Sequence, residues 1–159
     1  RKWDAAFNSL EHLALFARQR GVTIAIENTP GEMATPANLR QFLAETRLGN
    51  IKFCFDTGHA HLGEGVEAGW GIMRELVVTT HVHDNRGEDK DEHLLPFEGT
   101  IDWKAFLPTL ENKLPFVLEL KAEAVPGHPL GKIVGAFEKL EKATAGAGHA
   151  ARASSSAER

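Results

Sequence analysis

The sequence predicts a parallel α/β fold of four β-then-α units, and three observations carry that prediction. Amphipathic stretches alternate along the chain with short, nearly all-apolar runs, the pattern of helices packed against a parallel sheet. The apolar runs holding Ile24, Ile26, Phe53, Phe55, Val78 and Val117 lack in-out alternation, so these strands are expected to be buried on both faces. A closed (β/α)8 barrel takes about 250 residues. Four units in 159 residues are therefore either an open four-stranded sheet or part of a barrel whose other half is absent.

Each element follows from a local signal. Trp3, Phe7, Leu10, Leu13 and Phe16 recur at helical spacing, and Gly21 stands where a helix-ending glycine belongs, so the chain opens on an amphipathic helix. Val22–Glu27 is the first strand. Thr35 before Pro36 reads as an N-cap followed by proline in the first turn, and Leu39, Phe42 and Leu43 give the second helix its face before Gly49. Ile51–Asp56 is the second strand, a helix covers roughly Val66–Leu76, and Val77–Asp84 is the third strand. A loop of mixed charge follows. Asp102 caps a helix bearing Trp103, Phe106, Leu107 and Leu110, which Pro108 is expected to kink or shorten. Pro115–Leu120 is the fourth strand, and Ile133, Val134, Phe137 and Leu140 mark the last helix. From Ala143 onward Ala, Gly and Ser dominate without periodicity, which predicts a disordered tail over 143–159 behind a domain spanning 1–142.

Composition narrows the function classes. With 42% hydrophobic and 25% charged residues the chain is globular rather than disordered. Its 18 Lys+Arg against 22 Asp+Glu leave a net charge of −4, so the basic footprint of a nucleic-acid binder is missing. No apolar run approaches a membrane span, and no membrane partner is expected. A lone Cys54 inside an apolar run reads as buried packing in a reducing, cytoplasmic setting.

The chemistry is concentrated at strand ends. Glu27, Asp56, the pair His81 and His83, and Glu119 each stand at or near the carboxyl end of a strand. Right-handed crossovers make the strands parallel, so these residues converge on one rim, where such folds place their sites. A single acidic residue closing a strand is most often a cap or a surface ion pair, but four consecutive strands doing it point to a site. Carboxylates held close raise one another's pKa and take up protons unless a cation neutralises them. Three carboxylates and one neutral imidazole around a divalent ion leave a net charge near −1, and such oxygen-rich ligation suits Mn, Mg, Co or Zn. Asp56-Thr-Gly-His59 turns tightly enough for Asp56 and His59 to face one pocket, and His81 and His83 alternate with Val82 to the same side of their strand. Asp91-Glu-His93 lies in the charged loop near His59.

Taken in order, Ile26-Glu-Asn28, Phe55-Asp-Thr-Gly-His59, His81-Val-His-Asp-Asn85, Asp91-Glu-His93 with Gly99-Thr-Ile-Asp-Trp103, and Leu118-Glu-Leu120 resemble the second half of the xylose isomerase-like TIM barrel superfamily, over residues from about 20 to 142. That group includes sugar phosphate isomerases/epimerases and AP endonucleases of the endonuclease IV type. The resemblance implies the C-terminal half of a (β/α)8 barrel, truncated at its N-terminus, with a metal held by Glu27, Asp56, His81 and Glu119. It implies a sugar or sugar-phosphate isomerase or epimerase working through an enediolate at a divalent metal, with Glu27 and Glu119 as the catalytic acid and base. His59, Asp91 and His93 would hold a second metal, as in the nuclease branch, or touch substrate; His83 and Arg86 would bind substrate. The competing reading is a zinc-dependent AP endonuclease, which the −4 charge opposes. A half barrel standing alone is expected to be inactive and to pair with another copy. One departure stands out: the Gly-x-Gly that precedes Ile-Asp in most members appears here as Pro96-Phe-Glu-Gly99.

Overall fold

The computed structural model describes residues 2–46, 48–110, 114–124, 126–127 and 130–155. Helix α1 (Lys2–Arg18) leads to strand β1 (Ile24–Glu27), α2 (Pro36–Thr46), β2 (Ile51–Asp56), the short α3 (Thr57–His61), α4 (Val66–Met73), β3 (Val77–Val82), α5 (Trp103–Phe106), β4 (Phe116–Leu118) and α6 (Leu130–Ser155). Among the described residues the four strands form one sheet in the order β1-β2-β3-β4, every pair parallel. Sequential strands joined through helices, each beside the last, are the architecture expected from the alternation of patterns.

The local signals act as read. Gly21, at φ 65°, ends α1 in a Schellman turn in which Val22 N–H donates to Ala17 O and Gly21 N–H to Arg18 O. Thr35 Oγ1 accepts from Asn38 N, and Asp102 accepts from Ala105 N, so both predicted caps form. Pro108 falls in a 3-10 turn over Leu107–Thr109, which stops α5 after one turn.

Sidedness departs from expectation. The odd residues of β2, Ile51, Phe53 and Phe55, are wholly buried beneath α2 and α4 with Trp70, Met73 and Phe106, and the Phe55 and Trp70 rings meet edge-to-face at 5.4 Å. Each such aromatic burial stabilises by about 1.5–3 kcal/mol. The other face carries Lys52, Cys54 and Asp56 together with Glu27, His81, Val117 and Glu119, none of which belongs to the main apolar core. Val117 is therefore exposed rather than buried, and so is Val78, which sits where the β2–β3 register shifts. Ile24 and Ile26 are only half-buried because β1 is an edge.

Two helices also differ. The buried stripe of α1 runs Phe7, Leu10, Ala14, Ala17, while Leu13 and Phe16 face outward, the latter under the Arg20 guanidinium at 3.5 Å. Small Ala14 and Ala17 hold the true period, and the larger side chains beside them mimic it. Helix α6 continues through Ser155, across the segment expected to be disordered; alanine has the highest helix propensity, and Ala-rich composition reads as helix as readily as linker. Residues 156–159 of that segment lie outside the described residues. Among the described residues no helix is long and apolar enough to cross a membrane.

Candidate metal centre

Asp56, the last residue of β2, anchors the rim. It is completely buried, it caps α3 by accepting from His59 N at 2.7 Å, and its Oδ2 has no hydrogen-bond partner among the described residues. Around it stand Glu27 from β1, His81 from β3 and Glu119 just past β4. His81 Nδ1 lies 3.0 Å from Glu27 Oε2 and 3.0 Å from Glu119 Oε2. Although so close, His81 Nδ1 and Glu119 Oε2 are both buried without a hydrogen-bond partner. The donor atoms of Glu27, Asp56, His81 and Glu119 all lie within 4.8 Å of one another.

A second cluster adjoins the first. His59, His83, Asp91 and His93 bring four ligand atoms within 4.8 Å of one another. His93 Nδ1 donates to Glu119 O at 2.9 Å, which leaves Nε2 facing Asp91 Oδ2 at 2.7 Å. His59 Nδ1 lies 3.0 Å from both Asn28 O and Glu27 Oε1, and its Nε2 lies 3.4 Å from Asp91 Oδ2. In both rings a backbone carbonyl fixes the Nδ1 proton and turns the other nitrogen inward, the usual outer support of a metal-binding histidine. The His83 ring is buried with neither nitrogen hydrogen-bonded, although Nε2 is 3.0 Å from Asp56 Oδ1, and it stacks on His93 at 3.9 Å.

These features answer whether the residues fit a metal. Buried polar atoms without partners cost free energy, and six of the seven found among the described residues, all but Trp70 Nε1, belong to Asp56, His81, His83, Asp91 and Glu119. Donor atoms about 3.0 Å apart and misaligned for a hydrogen bond match the edge of a coordination shell with bonds near ~2.1 Å. Both clusters fit. The first is oxygen-rich and partly open, with Glu119 41% exposed, whereas the second is nitrogen-rich and closed around a His83 side chain with no exposed surface.

Electrostatics agree. Burial opposes ionisation of Asp56, but the His83 and His59 rings outweigh it and hold the carboxyl below the usual range. Burial likewise disfavours charge on His59, yet the bond to Glu27 and the charges of Asp56 and Asp91 prevail and push it up to about 9. Cys54 is pushed up to about 12 by its burial and by Glu27 and Asp56, so it rests as a thiol.

The loop after β3 is built around Asp84. Its buried carboxylate accepts from Asn85 N, Phe97 N, Ile101 N and Trp103 Nε1, and its main chain bridges to Leu94. Gly99 lies so close that an added Cβ would fall 2.2 Å from Asp84 Oδ1. His93 and Phe97 hold φ of 49° and 73°, Phe97 at the place of the first glycine of the usual Gly-x-Gly. This hub delivers Asp91 and His93 to the rim.

All the expected rim residues converge except Arg86, although His83 does so within the second cluster. His83 does not line an open pocket: β3 ends at Val82, the Thr57 hydroxyl bonds both main-chain groups of His83, and its ring packs where a Cβ on Gly58 would fall 1.9 Å away. Arg86 is half-exposed and paired with Glu92 rather than turned into the rim. Sequence reasoning missed Asn28, Thr57 and Asp84, polar residues beside the ligands whose burial was the missing signal.

A parallel sheet whose carboxyl rim gathers carboxylates and imidazoles that could hold a metal is an α/β arrangement of the TIM-barrel kind. More particularly, the chain belongs to the xylose isomerase-like TIM barrel family, whose model matches residues 1–143. It is 33% identical over 110 residues to an uncharacterized protein of Methanocaldococcus jannaschii, covering 69% of this chain and 43% of that protein. It is 31% identical over 85 residues to an inosose dehydratase of Erwinia tasmaniensis, covering 52% of this chain and 28% of the relative. A D-tagatose 3-epimerase-like protein superposes with a TM-score of 0.77 at 24% identity, over 94% of this chain and 57% of that one. The chain thus spans less than half the length of these two curated relatives and 57% of that solved structure.

Proposed function

We propose that the chain carries the metal-binding part of a sugar or sugar-phosphate isomerase or epimerase. The observation that carries this is the oxygen-rich cluster of Glu27, Asp56, His81 and Glu119, in which the Glu119 side chain stays 41% exposed. When bound, a divalent ion such as Mn, Mg, Co or Zn supplies positive charge against the oxygens of a carbonyl and its neighbouring hydroxyl. Glu27 and Glu119 flank His81, so two carboxylates would stand beside one reacting carbon of a substrate held there. One takes the carbon-bound proton next to the carbonyl and the other, or the same one, returns it with the new stereochemistry or at the neighbouring carbon. His59 orients a hydroxyl from the Glu27 side. Dehydration of a polyol ketone starts with the same proton abstraction, so the name of the Erwinia relative agrees with this chemistry. The single free cysteine, Cys54, is consistent with a cytoplasmic setting.

The closed His59, His83, Asp91, His93 cluster favours a second reading, a zinc-dependent AP endonuclease. The net charge of −4 and the pairing of Arg86 with Glu92 oppose it. Incubation of the complete protein with ketoses and ketose phosphates in D2O with Mn2+ decides. Deuterium entering at the carbon beside the carbonyl is expected; no exchange, together with incision of an abasic oligonucleotide and three zincs per chain, would overturn the isomerase reading.

We also read the chain as the C-terminal half of a closed barrel. Its edge strands β1 and β4 are unpaired on their outer sides among the described residues, and Val117 on the ligand-bearing face is exposed. Alone, these 159 residues are expected to associate edge to edge and to show no turnover. Light scattering after size exclusion should give a dimer or larger; an active monomer with a cooperative melt would refute the half-barrel reading.

A further inference from the structure

The β1–β2 ladder ends at the pair Glu27 and Cys54, yet the two strands stay joined one residue further on. There the Asn28 carboxamide takes over: Nδ2 donates to Asp56 O at 2.9 Å, and Oδ1 accepts from Asp56 N at 2.8 Å. A primary amide offers a donor and an acceptor side by side, so the side chain stands in for a missing peptide unit. The main chain of Asn28 is thereby free to leave the strand direction, and its carbonyl receives the Nδ1 proton of His59 at 3.0 Å. Asn28 is buried, 1% exposed, and belongs to neither ligand set.

We propose that Asn28 is a positioning residue serving both clusters, its side chain setting the Asp56 carboxylate and its carbonyl setting which nitrogen of His59 faces Asp91. The proposal rests on the metal reading above. Asp56 has little freedom once both its main-chain groups are clamped, so its carboxylate is presented to the rim in one orientation before any cation arrives. Directing the His59 proton onto Nδ1 leaves the Nε2 lone pair facing the second cluster. No other residue of similar size does both: Asp lacks the donor for Asp56 O, and Ala leaves two buried peptide groups unpaired.

The test compares Asn28→Asp and Asn28→Ala with Leu140→Ala, a cavity in the core away from the rim that controls for general destabilisation. Three readouts are taken: thermal midpoint without metal, Mn2+ affinity by electron paramagnetic resonance, and the ring 15N shifts of His59 in the metal-free protein at a pH well above 9, where the ring is neutral and its tautomer is defined. The Asn28 variants are expected to lose Mn2+ affinity by about ten- to a hundredfold and to change the His59 tautomer, with neither change in Leu140→Ala. Should Asn28→Ala fail to fold, Asn28→Asp carries the comparison. An Asn28→Asp protein with wild-type Mn2+ affinity and an unchanged His59 tautomer overturns the proposal, as does an equal loss in Leu140→Ala. If the unmodified protein takes up no Mn2+, the metal reading fails instead, and the His59 tautomer alone decides the role of Asn28.

Discussion

Asp56→Ala is expected to lower Mn2+ affinity by more than about a hundredfold, beyond the loss typical of an outer-shell change, and to remove the metal-dependent rise in thermal midpoint. Asp56 is the one wholly buried carboxylate of the first cluster, its Oδ2 has no other partner among the described residues, and its Oδ1 stands 3.0 Å from His83 in the second. Both clusters lean on it. A ligand present at a hundred times its Kd stabilises a fold by about 2.7 kcal/mol, so a lost site is visible as a lost shift. His81→Ala should abolish Mn2+ binding in the same way, because His81 Nδ1 sits between Glu27 and Glu119. His83→Ala should separate the clusters: Mn2+ uptake at the oxygen-rich one persists, while zinc stoichiometry at the nitrogen-rich one falls. Titration calorimetry with each metal checks the series. Loss of Mn2+ in His83→Ala with retention in His81→Ala would reverse the assignment of the two histidines.

How much of this was legible in the sequence differs from element to element for physical reasons. Ile51–Asp56 reads at once as a strand with a functional end, because a central strand of a parallel sheet must be apolar until it reaches the rim, and its observed bounds are the expected ones. Glu27, Asp56, the pair His81 and His83, and Glu119 stood out together because each lies at or near the carboxyl end of a strand, and parallel topology brings such ends to one side; the choice of His81 over His83 came from the family resemblance. His83 stands in the second cluster, 3.0 Å from Asp56, rather than beside open space, because β3 ends at Val82, where the Thr57 hydroxyl and the Asp84–Leu94 bridge take the chain out of the sheet. Asn28 and Asp84 were invisible as structural residues for a related reason. A polar residue after a strand looks like any loop residue until the four donors converging on Asp84, or the paired bonds from Asn28 to Asp56, are seen in space. The exposed Val117 and Val78 failed a rule that presumes both faces of the sheet are covered. Locally, Phe97 shows a glycine position filled by an aromatic that tolerates φ of 73° while packing on Trp103 at 5.5 Å.

Glu119→Gln, in the complete protein with Mn2+ bound, is expected to reduce exchange of the substrate's carbon-bound hydrogen with solvent deuterium by about 10²–10⁴-fold, the usual contribution of a positioned acid or base. Glu119 is better placed than Glu27 to meet substrate. It is the most exposed member of the cluster, at 41%, whereas Glu27 is 26% exposed and is also engaged by His59 at 3.0 Å. Its main chain is fixed from two sides, with the amide donating to Val82 O at 3.2 Å and the carbonyl receiving His93 Nδ1 at 2.9 Å, so the side chain alone is left to move. Gln keeps the length and one oxygen for the cation but cannot accept a proton from carbon at neutral pH, so affinity should fall less than exchange does. Measuring both in the same variant separates the roles: lost exchange with Mn2+ retained assigns proton transfer to Glu119, and lost exchange with Mn2+ also lost makes it a ligand only. Undiminished exchange would remove Glu119 from the chemistry and leave Glu27 as the proton carrier.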